Sequence, residues 1–157
     1  MFDHYSGTQL CSGLGPSAQR LLKASLPKSV DTLAADLFLR LLRVQRAEGQ
    51  RQRWMDWLHA TLAQSESSFT RMRFITLCTR VPVFFSRAFF KERYLLLLLE
   101  LSKDPVLQVR RSLAKSLPAV QRMFLLPVDR ECLKSFQAAL DQLSLGFEND
   151  EVQPLNC

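Results

Sequence analysis

The stretch Leu101-Ser102-Lys103-Asp104-Pro105-Val106-Leu107-Gln108-Val109-Arg110-Arg111 constrains the fold of this chain most. It reads as the end of one helix, a sharp turn and the start of another. Asp is a favoured N-cap because its carboxylate accepts the first free backbone N–H groups, and Pro at the first helical position has no N–H to lose. Val106, Val109, Leu113, Leu117 and Val120 then recur at the spacing of one buried helix face. The helix before the turn is also apolar, with Phe89, Phe90, Tyr94 and the run Leu95 to Leu99. Two such helices carry more apolar surface than one pair can hide, which predicts a repeating helical unit.

The rest of the chain agrees with an all-α fold. Leu dominates and β-branched residues are scarce; three of the five glycines fall in the first fifteen residues. A length of 157 residues suffices for one domain with a substantial core. Residues 1–16 show no sustained period and are expected to be irregular. Helices are predicted from Ser17 to Ser25, from Ser29 to about Arg46 and from about Gln50 to Gln64, then from Phe69 to Val81, from Ser86 to Ser102 and from Asp104 to about Arg122. The second has Val30, Leu33, Leu37, Leu41 and Val44 as its apolar face. A last helix carries Leu133, Phe136, Leu140 and Leu143, with Gly146 as its stop. The expected organisation is one helical domain over 17–146 and an acidic, frayed tail over 147–157. A shift of thirty-six residues lays Ser68 on Asp104, Leu77 on Leu113, Val81 on Leu117 and Pro82 on Pro118, an internal register of repeat type.

Several functions are disfavoured. Lys91, Glu92, Arg93 and Glu100 bound the leucine run, far short of the ~20 apolar residues of a spanning helix. It is expected to be a core helix buried on more than one side, with no membrane partner. Cys11, Cys78, Cys132 and Cys157 form no C-x-x-C pair and no secretory signal precedes them, so free thiols in a reducing, cytoplasmic setting are expected. His59 has only Asp56 at helical spacing, and Gly13-Leu14-Gly15 lacks a third glycine and a preceding strand. No Walker, G-x-S-x-G or H-E-x-x-H sequence occurs, so a non-enzyme with no cofactor and no metal is expected. Trp54 and Trp57 beside Arg51 and Arg53 suggest a base-stacking platform. The plainer reading makes Trp54 core, Trp57 the cover of a helix edge and the arginines solvated.

The net charge is +6, with arginine-rich sequence from Arg40 to Arg93 and only acidic charges after Lys134. Solvated helix faces account for this, and a surface for an acidic partner is the sharper alternative. Arg71, Arg73, Arg80, Arg87, Lys91 and Arg93, on neighbouring helices, would then form a basic strip.

A helix, a short turn with Asp, then Val-Arg early in the next helix resembles the HEAT repeat, here Asp104 followed by Val109-Arg110. The preceding unit departs from it, with Ser68 in the Asp place and Arg73 in the place of Val109. Phe85-Ser86-Arg87-Ala88-Phe89-Phe90, the turn just described and Leu125-Leu126-Pro127-Val128-Asp129-Arg130 are similar, more narrowly, to the C-terminal HEAT region of the regulatory-subunit-4 family of protein phosphatase 4, over about Phe69 to Leu143. The resemblance implies a HEAT-like α-solenoid of about three helix pairs, acting as a non-catalytic scaffold or regulatory subunit. Its implied partner is a protein phosphatase catalytic subunit or a substrate. It gives the structural repeat turn as Asp104, Pro105, Val109 and Arg110, with Asp104 and Arg110 making turn-to-helix contacts. Second helices usually line the binding face of such arrays, which makes Arg73, Arg80, Arg110 and Arg111 the candidate partner contacts. The competing readings are a basic helical repeat that binds nucleic acid and a truncated form without function of its own.

Overall fold

Every regular element among the described residues is helical, in a computed structural model that describes residues 7–24 and 27–152. The chain falls into two compact units, one ending at Ser86 and one beginning at Arg87.

The first unit holds α1 (Gly7–Lys23), α2 (Lys28–Val44), α3 (Glu48–Leu58), which continues as a π turn over His59–Ala63, and α4 (Ser68–Phe84). Helices α1 and α2 form an antiparallel hairpin, and Cys11 near the start of α1 meets the Leu41 carbonyl near the end of α2. Helices α2 and α4 run parallel. Asp31 pairs with Arg73 and, further along both helices, Asp36 pairs with Arg80. Phe38 of α2 meets Trp54 and Trp57 of α3, each at 5.8 Å between ring centroids. Phe74, Leu77, Cys78 and Val81 complete the core from α4. Pro82 sits inside the last turn of α4 without ending it.

The predicted face of α2 needs correction. Ala34, Ala35, Phe38, Leu39, Leu41 and Leu42 are buried, whereas Leu33 and Val44 are exposed. The cause is that α2 packs against both α1 and α4, so its buried arc centres between them and the small Ala34–Ala35 pair lets its neighbours close in.

The second unit begins with a composite helix over 87–103: α5 (Arg87–Phe90), a π turn (Lys91–Leu95), α6 (Leu96–Glu100) and a final 3-10 turn (Leu101–Lys103). Phe90 and Leu95, five apart, are both buried, the spacing a π turn allows. Leu98 and Leu99 are also buried, but Leu96 is largely exposed, so the leucine run is amphipathic rather than enclosed. Helix α7 (Leu107–Gln121) buries Val109, Leu113, Leu117 and Val120, as predicted, and continues past Pro118. Helix α8 (Arg130–Val152) buries Phe136 and Leu143. The α7–α8 turn is tied to the start of the composite helix through Lys91 and Asp129.

Gly146, read as a helix stop, and Gly15, in the stretch expected to be irregular, are packing seats inside helices. Helix α1 begins at Gly7, inside the stretch expected to be irregular, and Gly15 lies under the Trp54 indole, where a Cβ would stand 2.5 Å from Cζ2. Gly146 lies inside α8 against the Arg110 side chain, and the helix runs on to Val152, into the expected tail. The remaining tail positions and residues 1–6 lie outside the described residues.

The glycines of α1 give opposite expectations. A Gly-to-Ala change inside a helix gains roughly 0.5–1 kcal/mol from backbone entropy. At Gly13 a methyl would meet open space, with nothing within 4 Å, so Gly13→Ala is expected to raise stability by about that amount. At Gly15 the methyl must displace a rigid indole wedged against Phe38, and overpacking costs about 1–3 kcal/mol. The clash outweighs the entropy, so Gly15→Ala is expected to lower stability. Thermal melts of both variants check the two signs.

Candidate partner-binding surface

Three helix-to-helix turns share one hydrogen-bond pattern. In each, a side-chain oxygen accepts the backbone N–H two residues on, and an arginine six residues on donates back to the turn's own carbonyl. Gln45 Oε1 accepts from the Ala47 N–H at 3.1 Å, and Arg51 donates to the Gln45 carbonyl at 2.8 Å. Ser65 Oγ accepts from the Ser67 N–H at 3.2 Å, while Arg71 donates to the carbonyls of Ser65 and Glu66 at 2.7 and 2.9 Å. Asp104 Oδ1 accepts from the Val106 N–H at 2.8 Å, and Arg110 donates to the carbonyls of Asp104 and Pro105 at 2.7 and 3.2 Å. A helix end leaves carbonyls unsatisfied and partially negative, and a guanidinium there answers both needs.

This pattern corrects the register and the cap. It equates Ser65 with Asp104 and Arg71 with Arg110, three residues away from the match of Ser68 with Asp104. Helix α7 starts at Leu107 with Val106 in the cap position, so Asp104 and Pro105 belong to the turn itself. Val109 is buried in the first turn of α7. Arg110 closes on its own turn, with its side chain seated against Gly146.

The four candidate arginines separate. Arg73 is buried, with Nε 3.0 Å from Asp31 and Nη1 3.2 Å from the Leu22 carbonyl. Arg80 grips Asp36 with two bonds of 2.6 and 2.7 Å. Arg110 is buried in its clamp, and Arg111, one position on, is exposed. Arg71, Arg73 and Arg80, three members of the expected basic strip, are thus engaged within the first unit.

In the second unit Asp129 is buried, paired with Lys91, and accepts the Leu125 N–H at 2.6 Å. The Lys91 bond first, then the Leu125 N–H, holds this carboxyl below its ordinary pKa. A carboxylate whose folded pKa lies below its unfolded one stabilises fully above the unfolded value, about 4, and loses that contribution as pH falls through the folded one. Asp129→Asn is therefore expected to lower the melting temperature near neutrality, and the gap to the unaltered chain is expected to narrow below about pH 4. Melts recorded across pH 2–7 check this.

Other motifs resolve into structure. Trp54 is 5% exposed and Trp57 half-buried, both turned onto Phe38, while Arg51 serves its turn and Arg53 bonds Gln50. Asp56 accepts from Gln52 at 2.8 Å. Cys11 and Cys78 are buried free thiols, and burial pushes both pKa values up, away from the reactive thiolate. Among the described residues no cluster of His, Cys, Asp and Glu is suited to a metal, and no helix is long and apolar enough to cross a membrane.

An antiparallel helix hairpin, a parallel neighbour packed across it and a recurring clamped turn define an all-α protein of the helical-repeat, α-solenoid class. Within that class the chain resembles a segment of one regulatory subunit. Serine/threonine-protein phosphatase 4 regulatory subunit 4 of Mus musculus is 32% identical over 123 residues, covering 78% of this chain and 14% of that protein. The Homo sapiens protein of the same name is 32% identical over 111 residues, covering 71% of this chain and 13% of that protein. The chain thus spans about one-seventh of the relatives' length, and the alignment extends beyond the half of the chain whose motifs suggested it. No family model and no solved structure matches.

Proposed function

We propose that this chain is a non-catalytic HEAT-type scaffold or regulatory module of a protein serine/threonine phosphatase of the protein phosphatase 4 kind. It binds the catalytic subunit or its substrates and contributes position rather than chemistry. The similarity to the regulatory subunit over 123 residues carries this reading. The helical-repeat class supports it, since stacked helices expose extended surfaces suited to partners. Among the four arginines singled out by sequence, Arg111 has the exposure a direct contact needs, while Arg73 and Arg80 tie helices within the first unit and Arg110 clamps a turn of the second. The setting is cytoplasmic, in keeping with free thiols.

The test is capture of partners by the tagged chain from cytosol at moderate and high salt, read by mass spectrometry. A phosphatase catalytic subunit retained at moderate salt supports the proposal. Nuclease-sensitive capture of RNA-binding proteins without a phosphatase would favour the nucleic-acid alternative, and chaperones alone would favour a truncated form.

A further inference from the structure

The parallel pair α2 and α4 carries a ladder of charge. Asp31 meets Arg73 on the first rung and Asp36 meets Arg80 on the second. On the third, where both helices end, the acid is missing. Arg40 lies over the Phe84 ring at 5.6 Å from its centroid, and Arg43 donates to the Phe84 carbonyl. Both arginines are exposed, and among the described residues no carboxylate is ion-paired to either. Their chain neighbours are apolar and open to solvent: Val44 beside Arg43 is 45% exposed, and Val83 beside Phe84 is 58% exposed. The segment ending at Ser86 carries eleven Lys and Arg against six Asp and Glu, so the surrounding field is positive.

We propose that this edge, formed by Arg40, Arg43, Val44, Val83 and Phe84, docks an acidic linear segment of a partner protein in which carboxylates alternate with apolar side chains. The partner's carboxylates take the place of the missing acidic rung. Guanidinium forks suit carboxylates, and five donors leave Arg43 able to bind one while serving the Phe84 carbonyl. The valines accept the intervening apolar side chains. Nucleic acid fits less well: Arg40 occupies one face of the Phe84 ring, and two arginines are too few for a phosphate track. The proposal stands apart from the phosphatase reading, because the purified chain and a probe peptide decide it.

The experiment is fluorescence anisotropy of a labelled peptide of alternating Glu and Leu, titrated with the full chain. Saturable binding is expected, with Kd raised about tenfold or more in the Arg40→Glu/Arg43→Glu variant. Val83→Ser is expected to weaken it less, and Lys115→Glu, at an exposed position of α7 on the other unit, to leave it within about twofold. Arg43 also serves a helix end, so Arg40→Gln alone, checked by circular dichroism, keeps the test decisive if the double variant misfolds. No binding by the unaltered chain, or unchanged binding by folded Arg40 variants, would overturn the proposal. Equal or tighter binding of a single-stranded oligonucleotide, lost in the same variants, would overturn it in favour of nucleic acid.

Discussion

Leu113→Asp is expected to unfold the second unit. Leu113 is 0% exposed in the middle of α7, on the face shared with Val109, Leu117 and Val120. Truncating such a leucine to Ala costs about 2–5 kcal/mol through lost transfer energy and the cavity left behind. A carboxylate placed there adds a desolvation cost of several kcal/mol, or forces protonation at a comparable penalty. Against a net stability of about 5–15 kcal/mol for an ordinary domain, that sum is decisive. Far-UV circular dichroism is expected to show lost helix in Leu113→Asp and a lowered but cooperative melt in Leu113→Ala. Both tryptophans, Trp54 and Trp57, belong to the first unit, so their fluorescence reports that unit separately. An unchanged helical signal and melt in Leu113→Asp would contradict the core assignment.

Arg110→Ala is expected to cost about 2–4 kcal/mol, while Arg111→Ala is expected to stay within about 0.5 kcal/mol. The contrast between adjacent arginines follows from where each side chain goes. Arg110 serves the carbonyls of Asp104 and Pro105, and its stem is packed against Gly146 of α8. Removing it takes a charged donor from the turn and opens a gap between α7 and α8. Arg111 is exposed, and its loss leaves the turn and core intact. Chemical denaturation of the two variants checks the difference, and equal effects would show that the clamp contributes nothing to stability.

The parts legible in the sequence were those set by one helix and its own turn. The α7 face shows in its spacing because one side of that helix is buried. The face of α2 was misplaced because two neighbours share that helix, and a single apolar stripe has no way to express two contacts. Gly146 looks like a stop and Gly15 like part of an irregular stretch in sequence because their role, close approach by Arg110 and Trp54, depends on residues distant along the chain. The clamp was half visible. Asp104 and Arg110 were singled out, but Gln45 with Arg51 and Ser65 with Arg71 were not, although the same six-residue spacing joins each pair. The signal was present; three different side chains acting as the acceptor concealed it. The candidate arginines were chosen by helix and charge, and only the structure separates those facing Asp31, Asp36 or a turn carbonyl from Arg111.

The most direct measurement is calorimetric titration of the purified, folded chain into purified protein phosphatase 4 catalytic subunit at physiological salt. The scaffold account expects saturable binding, accompanied by altered dephosphorylation of a protein substrate and unchanged turnover of a small chromogenic ester. Absence of binding by a chain whose circular dichroism and melt show it folded would contradict that account.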